Sequence, residues 1–202
     1  MNRFFPITTL VLVIAQLLLI LLSWIFTAAM PELAINSLIS NEGIRWFFGH
    51  FTSNLLSPFL IWIILLSITY GIVRRSGILS IIFRRKQSKL HYRQKFALRI
   101  AGIEFIGLVA MVLFLTAGPN APLLSATGEL FPSSFSHSIV PILAFGLMAL
   151  SITYGVFSKE YKTLGEVFDA MTKGLTCAVP YIVLYIFAFE LYHSVVFVFK
   201  LT

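Results

Sequence analysis

The sequence predicts an all-α integral membrane protein with about five transmembrane helices, and three observations carry that prediction. Four stretches, 4–31, 46–73, 105–128 and 130–158, contain no Asp, Glu, Lys or Arg, and a fifth, 174–199, is interrupted by Glu190 alone. One six-residue string occurs twice, as Leu66-Ser67-Ile68-Thr69-Tyr70-Gly71 and as Leu150-Ser151-Ile152-Thr153-Tyr154-Gly155. Nine of the fifteen basic residues lie between Arg74 and Arg99 with no acid among them. Roughly 20 apolar residues span a bilayer core. The runs are continuously apolar rather than alternating, which favours helices over a barrel. Only 11% of the chain is charged, against about 25% in a soluble domain.

The five spans are predicted near 6–29, 54–74, 99–117, 134–157 and 174–199. Arg3, the apolar run behind it and Ala28-Ala29 loosely mimic a signal peptide. The run is longer than a signal-peptide core, so it reads as a retained helix. In 42–53, Glu42, Arg45 and His50 are mixed with Trp46, Phe47, Phe48 and Phe51, a pattern expected of a short amphipathic piece lying at the interface. Pro58, Pro141 and Pro180 could kink helices, and Pro58 and Pro141, near first turns, read as helix starts as much as kinks. The second outer segment has Phe131-Pro132 and Phe135 at the matching place, and Pro119, Pro122 and Pro132 bracket its turn. On the basic side, Gly77–Phe83 is apolar and the chain is basic through Arg99, which predicts one or two interfacial helices. Leu164, Val167, Phe168 and Met171 fall at helical spacing within 158–173, and that segment too is expected to lie flat.

The repeat organises the chain as a single membrane domain, 1–202, with repeat 1 at about 6–85, repeat 2 at about 99–172 and an extra helix at about 174–199. Leu38–Gly43 resembles Leu123–Gly128 at nearly the same offset. Each repeat is a hairpin running out and back, so the two are parallel and related by an axis along the membrane normal. With alternating spans, thirteen basic residues fall on one side and only Arg45 and Lys200 on the other. The positive-inside rule then places the N-terminus in the cytoplasm and the C-terminus outside, in a bacterial inner membrane. The net charge of +7 thus reflects topology rather than nucleic-acid binding. Cys177 is the single cysteine and cannot form an internal disulfide.

Ionisable residues within spans are the first functional candidates. Glu104 sits near the inner headgroup level. Glu190 lies deeper, with His193 one turn further on, and Glu-x-x-His shares one helix face. A proton relay or metal pair competes there with a plain helix-facing hydrogen bond, and the bland reading wins. A metal needs more ligands, and His50 and His137 are the nearest candidates. Ser67, Thr69, Gly71 and their repeats Ser151, Thr153 and Gly155 are expected to support close helix packing. Arg84, Arg85, Lys86, Lys89, Arg93 and Lys95 are expected to meet anionic lipid headgroups. No catalytic set, cofactor motif or metal cluster is legible, which argues against an enzyme.

Several segments carry a resemblance. Asn36–Trp46, Gly71–Gly77, Pro122–Gly128, Ile139–Pro141, Ile152–Gly155 and Pro180–Leu184 resemble stretches of the aminobenzoyl-glutamate transporter family. Members of that family are far longer, and they carry re-entrant hairpins and unwound helices that bind substrate and sodium. Nothing in this sequence resembles those elements. The resemblance therefore implies the scaffold and oligomerisation part of such a transporter. Two functions compete: a non-catalytic scaffold or accessory subunit that forms a homo-oligomer or joins a larger membrane complex, and a reduced secondary transporter of a small anion. The absent broken helices favour the first. The fifth span has no repeat mate and is expected to be the assembly surface.

Overall fold

The computed structural model describes residues 3–30, 32, 35–83, 91–117, 123 and 133–201. Among them every regular element is a helix: α1 (Phe4–Ala29), α2 (Asn41–Leu55), α3 (Pro58–Ser76), α4 (Ile78–Phe83), α5 (Tyr92–Ala117), α6 (Ser134–Ser158) and α7 (Leu164–Phe199). α1, α3, α5, α6 and α7 are each long and apolar enough to cross a membrane. The protein is an all-α integral membrane protein.

Three boundaries differ from expectation. The segment expected to lie flat before the last span is instead the first turns of α7, a single 36-residue helix. The reason is packing: Val167 and Ala170 are buried beside Ile72 of α3 and Tyr161, and nothing at Lys173-Gly174 stops the helix. Likewise Arg93, Lys95 and Arg99 belong to α5 itself rather than to a separate interfacial helix. Pro58 opens α3 as expected, but Pro141 lies inside α6, where it removes an internal hydrogen bond.

The residues form two compact units, one of 1–63 with 178–202 and one of 64–177. In the first, α2 starts where the Ser40 hydroxyl accepts from the Gly43 amide at 3.0 Å. Glu42 lies in that first turn, where a negative charge suits the helix dipole. Gly43 is required there, because a Cβ would overlap the Ser37 carbonyl and the Leu38 backbone. The segment before α2 is tied to α7: the Asn36 amide donates to the Val198 carbonyl at 3.0 Å, and its side chain to that of Phe197 at 3.1 Å. Trp46 stacks on Phe197 with ring centroids 4.3 Å apart. The Tyr185 hydroxyl donates to the Leu55 carbonyl at 3.0 Å and meets the Ser57 hydroxyl at 2.7 Å, pinning the α2–α3 link.

The second unit is built on a close approach of α3 and α7. A Cβ on Gly71 would overlap the Ala170 carbonyl and the Gly174 backbone, and one on Gly174 would overlap the Ser67 carbonyl and the Gly71 backbone. The two backbones therefore touch through a Ser67-xxx-Gly71 strip facing an Ala170-xxx-Gly174 strip, the small-xxx-small arrangement of membrane helix pairs. Thr69 extends the contact to α6, its hydroxyl lying 2.8 Å from the Leu65 carbonyl and 3.3 Å from that of Ala144. Gly77, at φ +74, ends α3 in the left-handed conformation and lets α4 begin at once. Ser133 and Ser136 form a reciprocal capping box that starts α6, and α5 packs along α6. A second buried group joins Ile78 of α4, Ala97 and Ala101 of α5, and Tyr154 of α6.

Tyr161, in the link between α6 and α7, closes this unit. Its ring lies over Gly155, leaving no room for a Cβ there, and its hydroxyl donates to the Ile72 carbonyl at 2.9 Å. Burial pushes the phenol up to about 12, with Arg75 partly offsetting the effect. The unfolded chain loses that proton first, so this contribution is level below the ordinary value of 10.0 and stability falls as pH rises from there toward 12. Tyr161→Phe is expected to cost about 1 kcal/mol at neutral pH through the lost hydrogen bond. It should also flatten the alkaline decline, which stability measurements in detergent at stepped pH would show. Gly71→Leu is expected to destabilise by about 3 kcal/mol, because backbone rather than a flexible side chain must give way. Gly102→Ala, which faces open space on α5, should be neutral. Detergent unfolding titrations of the two variants would overturn the packing account if their losses were equal.

Candidate functional site

The most buried carboxylate among the described residues belongs to Glu190, at 6% exposure on α7. One turn on, Ser194 is fully buried on the same face. α1 supplies Gln16, whose Nε2 donates to the Ser194 hydroxyl at 2.9 Å. Asn54, buried near the end of α2, donates to Glu190 Oε1 at 3.5 Å, the long limit of a hydrogen bond. Three helices thus converge on a polar cluster of Gln16, Asn54, Glu190 and Ser194. Two of its acceptors, Glu190 Oε2 and Gln16 Oε1, are buried without a hydrogen-bond partner. Such atoms are costly in an apolar setting, and they mark the cluster as the place in this unit that a polar guest or a water would relieve.

The Glu-x-x-His pair does not work as a pair here. His193 is half-buried against the rings of Tyr192 and Phe189, with centroids 5.2 and 6.3 Å away, and Ser194 takes its place beside Glu190. His50 stacks on Trp46, and His137 is exposed at the start of α6. Among the described residues no three His, Cys, Asp or Glu side chains converge to hold a metal ion. Glu104 is half-buried on α5, and its Oε2 is buried without a partner. Arg93 and Lys95 are exposed at the start of α5. Arg84, Arg85, Lys86 and Lys89 lie outside the described residues. Of the residues expected to pack, Ser67, Thr69, Gly71, Ser151 and Gly155 are buried, and Thr153 is half-buried.

Sequence reasoning missed Gln16, Asn54 and Ser194. Gln16 is the one amide inside the charge-free run 4–31, and that anomaly was the available signal. Asn54 and Ser194 resemble ordinary helix-end and helix-interior polar residues until the fold brings them to Glu190.

Five long apolar helices define a polytopic membrane protein. Residues 82–199, more than half of the chain, match the AbgT putative transporter family, and the chain belongs to that family. The match includes the Pro122–Gly128, Ile139–Pro141, Ile152–Gly155 and Pro180–Leu184 segments, while Asn36–Trp46 and Gly71–Gly77 lie before it. No curated protein and no solved structure matched the chain.

Glu190→Leu is expected to lower stability by about 1 kcal/mol, the usual scale of interhelical hydrogen bonds in membranes, since it strands Asn54. Glu190→Gln keeps the shape and an acceptor and should retain most of that stability. Thermal unfolding in detergent that ranked Leu above Gln would remove the cluster's structural role.

Proposed function

We propose that this protein is a non-catalytic scaffold or accessory subunit of the transporter family, assembling with itself or within a larger membrane complex. The observation that carries this reading is the continuity of the long helices. Among the described residues each of the five apolar helices runs unbroken, whereas secondary transporters build substrate and ion sites from discontinuous helices. Apart from the turns that hold Pro141 and Pro180, such continuous helices satisfy their own backbone groups and offer few to a substrate.

The surface supports assembly. The spanning windows of α1 and α5 are 6% buried, against 22–28% for α3, α6 and α7. α7, expected from the sequence as the assembly face, also presents exposed apolar residues, Val179, Tyr181 and Tyr192 among them. The most exposed apolar spans are α1, with Leu10, Leu17 and Leu21 outward, and α5, with Ile103, Ile106 and Phe114 outward. The proposed setting is a bacterial inner membrane, with the N-terminus and the basic 74–99 segment cytoplasmic and the C-terminus external. The two hairpin repeats form one membrane domain in this reading.

Two measurements test it. Purified in a mild detergent, the protein should show an oligomeric mass by light scattering, or co-purify with defined partners. Reconstituted alone, it should give no saturable, gradient-driven uptake of aminobenzoyl-glutamate above empty liposomes; such uptake would establish the reduced transporter instead. For orientation, a cysteine at Ser88 in a Cys177→Ala background should react with an impermeant maleimide only after cell lysis. Strong labelling of intact cells would invert the topology.

A further inference from the structure

Beside the Gly71–Gly174 contact, within the 64–177 unit, α3 and α7 frame a cleft of about 550 Å³. Arg74 and Arg75 line it from α3, and Asp169, Lys173 and Cys177 from α7. All five side chains are exposed to it or to solvent. Glu166 also borders the cleft, but its carboxylate accepts from the Lys162 amide at 2.8 Å while its own amide donates to the Thr163 hydroxyl at 3.3 Å. That carboxylate is committed to starting α7, as in a capping box. Three cations therefore line the cleft with two carboxylates, Asp169 and the amide-bound Glu166.

The cations are also placed and oriented. Arg74 donates from Nη1 to the Tyr70 hydroxyl at 3.1 Å, and its guanidinium lies 5.9 Å from that ring's centre. This holds the planar fork beside the cleft, and such a fork suits phosphate oxygens. Arg74 directly follows the charge-free run 46–73, and Lys173 directly precedes the run 174–199. Both helices change from polar to apolar at the same cleft, and phospholipid phosphates occupy that level of a membrane.

We propose that this cleft binds a phosphate group through Arg74, Arg75 and Lys173, carried by a membrane phospholipid or by a soluble phosphate. It is separate from the basic run 84–95 and stands whether or not the protein moves a substrate.

Cys177, the one cysteine of the chain, reports on it without engineering. The full protein in neutral detergent would be labelled with a maleimide, and the rate compared with and without phosphatidylglycerol, a phosphate-free galactolipid, or inorganic phosphate. Phosphatidylglycerol should slow labelling several-fold and the galactolipid should not. Slowing by phosphatidylglycerol alone identifies a lipid headgroup, and equal slowing by inorganic phosphate identifies a soluble ligand. Arg75→Gln with Lys173→Gln should abolish the slowing, read as the ratio within each variant so that altered thiol reactivity cancels. Asp169→Asn, which removes an opposing charge, should lower the concentration giving half-protection. Equal protection by the galactolipid, protection that survives the double substitution in a protein of parental thermal stability, or no protection by either phosphate source would overturn the proposal.

Discussion

The second unit depends on one contact, the touching backbones of α3 and α7 at Gly71 and Gly174. In a bilayer, lipid tails are as apolar as leucine, so burying leucine against leucine gains little. Helices associate where they pack more closely than lipid can, and small residues permit that. Ser67, Gly71, Ala170 and Gly174 supply the strip, and the rest of the unit is arranged around it. Ile72, next to Gly71, joins Val167 and Ala170 in the buried group. The same contact sets the floor of the cationic cleft, since Gly71, Ala170 and Gly174 also border it.

The first unit is held by another means. Beside aromatic contacts such as Trp46 on Phe197, polar bonds tie it to α7: Asn36 to the Phe197 carbonyl, Gln16 to Ser194, Asn54 to Glu190, and from α7 itself Tyr185 to the Leu55 carbonyl. Each is worth roughly 1 kcal/mol or less in a membrane, and together they specify how α1 and α2 meet α7. Two of these side chains keep an unpaired oxygen, so the cluster is not fully satisfied by its own members. That incompleteness separates it from the Ser23 hydroxyl nearby, which donates to the Ile20 carbonyl at 2.8 Å and accepts from the Leu38 amide at 3.2 Å.

The fold class and the five spans were legible in the sequence because charge is excluded from hydrocarbon whatever the tertiary packing. The segment of α2 was legible as an amphipathic piece from its mixture of aromatic and charged residues, and the structure shows that piece to be a helix. The start of α7 was not. Leu164, Val167, Phe168 and Met171 have the spacing of a surface helix, and only the fold shows Val167 inward while Phe168 stays 64% exposed. Composition cannot separate a helix lying on lipid from one packed on protein, since both need an apolar stripe. The Glu190 cluster was half legible: the carboxylate stood out against its apolar surroundings, but its partners come from residues 136 and 178 positions apart along the chain.

The duplicated hexapeptide was expected to support helix packing, and its two copies do different work. Gly71 admits a backbone, whereas Gly155 admits the ring of Tyr161. Tyr161 then reaches the Ile72 carbonyl, one residue beyond Gly71. A single side chain thus bridges the ends of both copies. The glycine of the second copy leaves space for the residue that braces the helix of the first. That arrangement lets a duplicated string persist while its surroundings diverge, since the requirement at each position is absence of a Cβ and not a shared partner. Three and four residues beyond each glycine, the first copy has Arg74 and Arg75 and the second Ser158 and Lys159, and of these only Arg74 and Arg75 border the cleft. The first copy alone therefore carries the cations that open onto the cleft.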